Sequence, residues 1–143
     1  MKLVLPLILL ALILSAGCSD PVSPLQARTD PSELPAATWI LATMTGEDGA
    51  SVQVAPYRVV LRFDSVRFIS GRGPVNSYYG VFHATATGGM IIDSLVTTAV
   101  FGSGLDLEDR YLDALHMTNR FETGDGKLRM YFPGSGVLEY NAE

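Results

Sequence analysis

Cysteine is all but missing from the 143-residue chain, which carries one, Cys18. A lone thiol cannot close an internal disulfide or supply a multi-cysteine metal site. Basic side chains are also short, with ten Lys and Arg against fifteen Asp and Glu. The resulting net charge of −5 argues against a nucleic-acid partner, which needs a basic face. Histidine is limited to His83 and His116, and no HExxH, GxSxG or CxxC pattern is present. There is no repeat of solenoid period, and the length suits one domain.

Long apolar runs are confined to the start. Met1-Lys2 is basic, and Leu3 to Ala16 is almost unbrokenly apolar. That run has signal-peptide length and falls short of the roughly 20 residues that span a bilayer. Ser15-Ala16-Gly17-Cys18 resembles a bacterial lipobox, with Ser15 where leucine is favoured. The same Ser-Ala-Gly also suits ordinary signal-peptidase cleavage, which would leave Cys18 a free thiol. The expectation is a lipoprotein signal peptide over 1–17 and lipidation of Cys18, which ties the chain to a membrane through an N-terminal acyl anchor. Ser19 resembles an outer-membrane sorting residue, so the expected place is the bacterial cell envelope, at the outer membrane facing the periplasm. An acidic body gains nothing from anionic lipids, so on net charge alone the anchor does the holding.

Residues 18–37 carry Pro21, Pro24, Pro31 and Pro35 among polar residues and read as an extended tether. The domain is expected over 38–143. Period-two alternation predicts strands at Thr38 to Met44, Arg58 to Phe63, Val66 to Ser70, Ser77 to Thr85 and Met90 to Leu95. It continues at Arg120 to Thr123, Lys127 to Phe132 and Val137 to Tyr140. Asp64-Ser65, Gly88-Gly89, Gly124-Asp125-Gly126 and Pro133-Gly134-Ser135-Gly136 supply the turns. Asp106 to Thr118 breaks the rhythm, because Leu107, Tyr111, Leu115 and Thr118 recur at helical spacing and Leu112 widens that face. Asp106 is placed to cap this helix, Glu108 and Asp109 suit its dipole, and Asn119 suits a left-handed stop. The fold class is α+β: a mostly antiparallel, curled, barrel-like sheet with one amphipathic helix.

The chemistry-bearing residues divide into a few groups. His83 falls in a strand and His116 near the helix end, without a nucleophile or third ligand in register. Asp106, Glu108 and Asp109 lack the pattern of a calcium loop and read as a solvated helix start. Gly71-Arg72-Gly73 has no P-loop lysine and reads as a turn. A tight hairpin at Asp64-Ser65 would set Arg62 against Arg67, which an intervening carboxylate or a bound anion would relieve. Tyr78 and Phe82 share one strand face and Tyr79 takes the other, with Phe63 and Phe68 in the preceding hairpin. These aromatics form either the core or an apolar groove. No catalytic residue, metal ligand or cofactor is assigned.

The ordered series resembles the META domain family, which includes the HslJ-like heat-shock lipoproteins. Trp39-Ile40-Leu41 is similar to its W-x-L strand, and Leu61-Arg62-Phe63 to its L-x-F strand. Gly71 to Phe82 resembles its G-x-x-G-C-N-x-Y-x-G-x-Y block, with Asn76, Tyr78 and Gly80 matching. Met90-Ile91-Ile92, Leu95 and Thr98 fit the next strand, Glu108, Tyr111 and Leu115 the helix, and Leu128 and Met130 the closing strand. Pro74 stands at a family glycine, and Val75 and Gly102 stand about where a family cysteine pair would fall. Asn76, Tyr78 and Gly80 are therefore the candidate binding or structural motif. The resemblance implies a non-enzymatic envelope protein with a stress-related structural or binding role. The alternative is a carrier or chaperone holding an apolar ligand or a lipoprotein partner between sheet and helix. Loss of the Asn76 amide is expected to cost stability, through backbone groups where the 71–75 loop enters the next strand.

Overall fold

The computed structural model describes residues 27–143. The expected signal peptide, Cys18 and the first part of the expected tether lie outside the described residues. The remainder of the tether is built into the domain. Asp30 caps a 3-10 helix over Pro31–Ala36, its carboxylate accepting from Ser32 N. Leu34 within it is fully buried, and the Trp39 indole donates to Leu34 O at 2.8 Å. Burial of one leucine stabilises by roughly 1.5–3 kcal/mol, which together with these hydrogen bonds offsets part of the entropy of ordering the segment. Arg28 also exchanges backbone hydrogen bonds with Thr123. The packed domain therefore begins before Thr38.

Nine strands follow: β1 Trp39–Thr45, β2 Ser51–Val52, β3 Val60–Phe63, β4 Phe68–Arg72, β5 Ser77–Ala84, β6 Met90–Thr97, β7 Arg120–Gly124, β8 Lys127–Phe132 and β9 Gly136–Ala142. All pairings are antiparallel, in the order β6-β5-β4-β3-β1-β9-β8-β7, with β2 on β1. The two sheet ends meet at Gly89 and Arg120, which curls the sheet into a half-barrel. Among the described residues one α-helix, α1 (Leu105–His116), packs against β6, β8 and β9. Tyr78, Tyr111, Leu115, Met130, Leu138 and Tyr140, each at most 1% exposed, fill the space between sheet and helix. An apolar ligand held between sheet and helix, the alternative reading, would have to displace these side chains.

Several local expectations are corrected. Asp106 lies inside α1, and the cap position is Gly104 (φ 103°), where a Cβ would fall 2.7 Å from the Tyr57 ring. The helix closes through Met117 in a right-handed conformation, so Asn119 is not a left-handed stop. Asp64 and Ser65 do not form a two-residue hairpin, because Phe63 pairs with Ile69 and Arg62 with Ser70. The loop is longer since the Asp64 carboxylate accepts from the N–H groups of Val66, Arg67 and Phe68, which also holds its pKa below the usual carboxylate range. Arg62 and Arg67 are consequently not cross-strand partners.

Candidate functional site

The polar block of the sequence comes together where the β4–β5 turn meets the first turn of α1. Gly73 N donates to Asn76 O at 2.7 Å, leaving Pro74 and Val75 at the tip. Proline has no N–H, and the next two amide N–H groups point inward rather than back across the turn. Glu108 Oε2 accepts from Val75 N at 2.8 Å and from Asn76 N at 2.6 Å. Its Oε1 accepts from Asn76 Nδ2 at 2.7 Å. Glu108 is 3% exposed and forms no ion pair among the described residues, so N–H donors alone satisfy it. A Cβ at position 73 would fall 2.7 Å from Glu108 Oε2, which is why glycine stands there. The expected solvated helix start is therefore wrong for Glu108. The signal was present: Glu108 lies three and seven residues before Tyr111 and Leu115, on their helix face.

Asn76 carries the bracket one segment further. Its Nδ2 also donates to Val100 O at 3.1 Å, and its Oδ1 accepts from Val100 N at 2.7 Å and from the Thr98 hydroxyl at 2.8 Å. The amide thus ties down the 98–100 chain, not the 71–75 loop, whose Val75 N–H goes to Glu108. Asn76→Ala should lower unfolding stability by about 1–3 kcal/mol, because the buried Glu108 carboxylate and the part-buried backbone groups of Val100 lose a partner. Urea unfolding with an unchanged circular dichroism spectrum is the check. Wild-type stability would remove the bracket role.

Tyr78 begins a second internal chain. Its ring crosses Gly71, where a Cβ would fall 2.3 Å from the phenol oxygen, and its hydroxyl donates to Val60 O at 2.8 Å. The Tyr111 hydroxyl bonds to it at 2.8 Å and to the Tyr140 hydroxyl at 3.1 Å. Burial pushes the Tyr111 phenol up to about 12 and raises Tyr78 and Tyr140 well above the ordinary tyrosine value. All three serve as neutral hydrogen-bonding groups. Tyr140 carried no mark in the sequence, since its period-two position is equally that of a plain core residue.

Gly80 sits at a bulge between β5 and β6, opposite Ser94 with φ 53°. A Cβ there would fall 2.8 Å from a Leu95 methyl, so its role is close approach. His83 is exposed on β5 and His116 exposed in the last turn of α1. No group of three His, Cys, Asp or Glu side chains that could hold a metal occurs among the described residues. Val75 and Gly102 are neighbours, a Cβ at Gly102 falling 3.3 Å from Val75 Cγ1.

The outward face of β3 to β6 differs from the polar bracket. Arg62, Ser70, Tyr79 and Val96 form one cross-strand row. Phe68 and Val81 are paired in the next row, and His83 pairs with Ile91 beyond it. Phe68, Tyr79, Ile91 and Val96 are 50–60% exposed. As predicted, Tyr78 and Phe82 point inward and Tyr79 outward; Phe63 is buried but Phe68 lies at the surface. A groove of about 420 Å³ runs between Arg62, Phe68, Ser70 and Tyr79.

A META domain family model matches residues 32–143. The NMR structure of a protein from Burkholderia xenovorans is similar, with TM-score 0.70 and 19% identity, over 92% of this chain and 99% of that one. The crystal structure of a DUF4847 family protein from Bacteroides vulgatus is similar with TM-score 0.62 and 12% identity, over 77% of this chain and 94% of that one. At such identities the likeness is one of fold. No curated protein shows significant similarity to the chain.

Proposed function

Given that the chain belongs to the META domain family, we propose that it is a non-enzymatic domain of the bacterial cell envelope, anchored by acyl chains on Cys18, with a stress-related structural or binding role. The observation that carries this reading is the use made of the motif residues. Asn76, Tyr78 and Glu108 spend their polar atoms on the protein's own backbone and on one another. Every buried side-chain nitrogen and oxygen among the described residues has a hydrogen-bond partner. A reacting group must face substrate, and these side chains are buried and engaged with the protein itself. The motif acts as a fastening, and recognition falls to the surface. With the interior filled, a carrier role between sheet and helix has no support.

The anchor is tested in the native host. Wild-type protein should incorporate labelled palmitate and require detergent for extraction, whereas Cys18→Ser should take no label and move to the soluble fraction. An unlabelled wild type, or a Cys18→Ser variant that resists high-salt washing and still requires detergent for extraction, would overturn it.

A further inference from the structure

We propose that the outward face of β4 to β6 docks on an anionic lipid bilayer. Phe68, Tyr79, Ile91 and Val96 expose half or more of their surface on neighbouring strands of one sheet face. Exposed apolar side chains gathered on one sheet face mark a surface that meets a partner. Arg62, Arg67 and Arg72 border it, all exposed, and none forms an ion pair with another described residue. Asp93 lies in the patch, and the loop carboxylate of Asp64 is turned to backbone amides. The net charge of −5 therefore conceals a face on which cations outnumber anions.

An apolar centre with an arginine margin matches the chemistry of an anionic interface. Aromatic and aliphatic side chains enter the headgroup boundary, and guanidinium groups meet phosphates. A second copy fits less well. Two-fold pairing sets a patch against itself and would bring arginines towards arginines. The chain outside the described residues points the same way. Ala27 lies nine residue steps beyond Cys18, a reach of at most about 30 Å, comparable to the width of a domain this size. An acylated Cys18 would hold the domain against the bilayer without dictating which face meets it, so even a weak surface preference would orient it. This last step rests on the anchoring reading above, while the face itself does not.

Flotation with vesicles separates the two. The exported chain, residues 18–143 with Cys18→Ser, contains every described element and has no acyl group. It should float with vesicles of equal phosphatidylglycerol and phosphatidylcholine at least tenfold more than with phosphatidylcholine alone, and 0.5 M NaCl should suppress the difference. Arg62→Glu with Arg72→Glu should weaken flotation roughly tenfold or more. Tyr79→Ser with Val96→Ser should also weaken it, and Arg110→Glu on α1 should not. Circular dichroism must match wild type in each variant. Equal flotation on both vesicle types, no flotation, or loss of flotation equally from Arg110→Glu would overturn the proposal. So would a dimer in sedimentation that the Tyr79/Val96 pair dissolves. If flotation fails while wild type still takes palmitate at Cys18, the docking face falls and the anchor stands.

Discussion

Glu108→Ala should leave the domain close to unfolding. The carboxylate accepts from two backbone N–H groups and one side-chain amide, and no cation shares it among the described residues. Without it, Val75 N, Asn76 N and Asn76 Nδ2 each lose a partner in or beside the core. An orphaned buried donor costs about 1–3 kcal/mol, and partial access of water at half-buried Val75 offsets some of that. A loss of about 3–6 kcal/mol is expected, against the roughly 5–15 kcal/mol that holds a domain of this kind together. Glu108→Gln should fall between, because its one acceptor oxygen can serve the two backbone amides while its NH₂ faces the Asn76 NH₂. Urea unfolding followed by circular dichroism will order the three proteins. A wild-type midpoint for Glu108→Ala would mean that the bracket contributes nothing to stability.

The second large effect has the opposite sign. Val75→Cys combined with Gly102→Cys should form a disulfide on mild oxidation and stabilise the domain by about 3–4 kcal/mol, raising Tm by about 10–20 °C. A Cβ at Gly102 falls 3.3 Å from Val75 Cγ1, and in a disulfide each sulfur lies about 3 Å from the opposite Cβ. Gly102 is exposed and has no positive φ, so a side chain fits without backbone strain. The expected gain comes from closing a loop of roughly 28 residues in the unfolded chain. Thiol titration and melting with and without reductant test it. Two free thiols after oxidation would show that the turn and the 98–104 segment do not sit side by side as described.

Between them the two variants probe one junction from either side. In family members that carry cysteine at both positions, a covalent bond could hold it. Here Glu108 and Asn76 hold the same elements with hydrogen bonds alone. That makes the junction of the present chain depend on burial of a carboxylate, a cost that only a full set of donors offsets.

Much of this was legible in the sequence for a common reason. Strand alternation, the span of α1 and the Asp125-Gly126 turn, with φ 51° and 70°, each follow from residues a few places apart. Local sterics and one buried face set them, so a window of ten residues suffices. The resemblance of Gly71 to Phe82 to the family block also marked Asn76 and Tyr78, because close-approach glycines and an amide leave a readable pattern.

What the sequence by itself determined is therefore the α-helix, every strand but the short β2, their alternation and the family. Tertiary structure alone decided what their faces meet. Glu108 reads as a solvated acid until the β4–β5 turn, more than thirty residues earlier, presents three donors to it. The proline-rich stretch reads as open tether until Trp39 and the β3 side of the sheet give Leu34 somewhere to be buried. Arg62 and Arg67 read as opposed until the Asp64 carboxylate gathers three backbone amides and lengthens the loop. In each case the free energy of a charged, polar or apolar group depends on whether a distant segment replaces its water. Spacing along the chain carries no record of that.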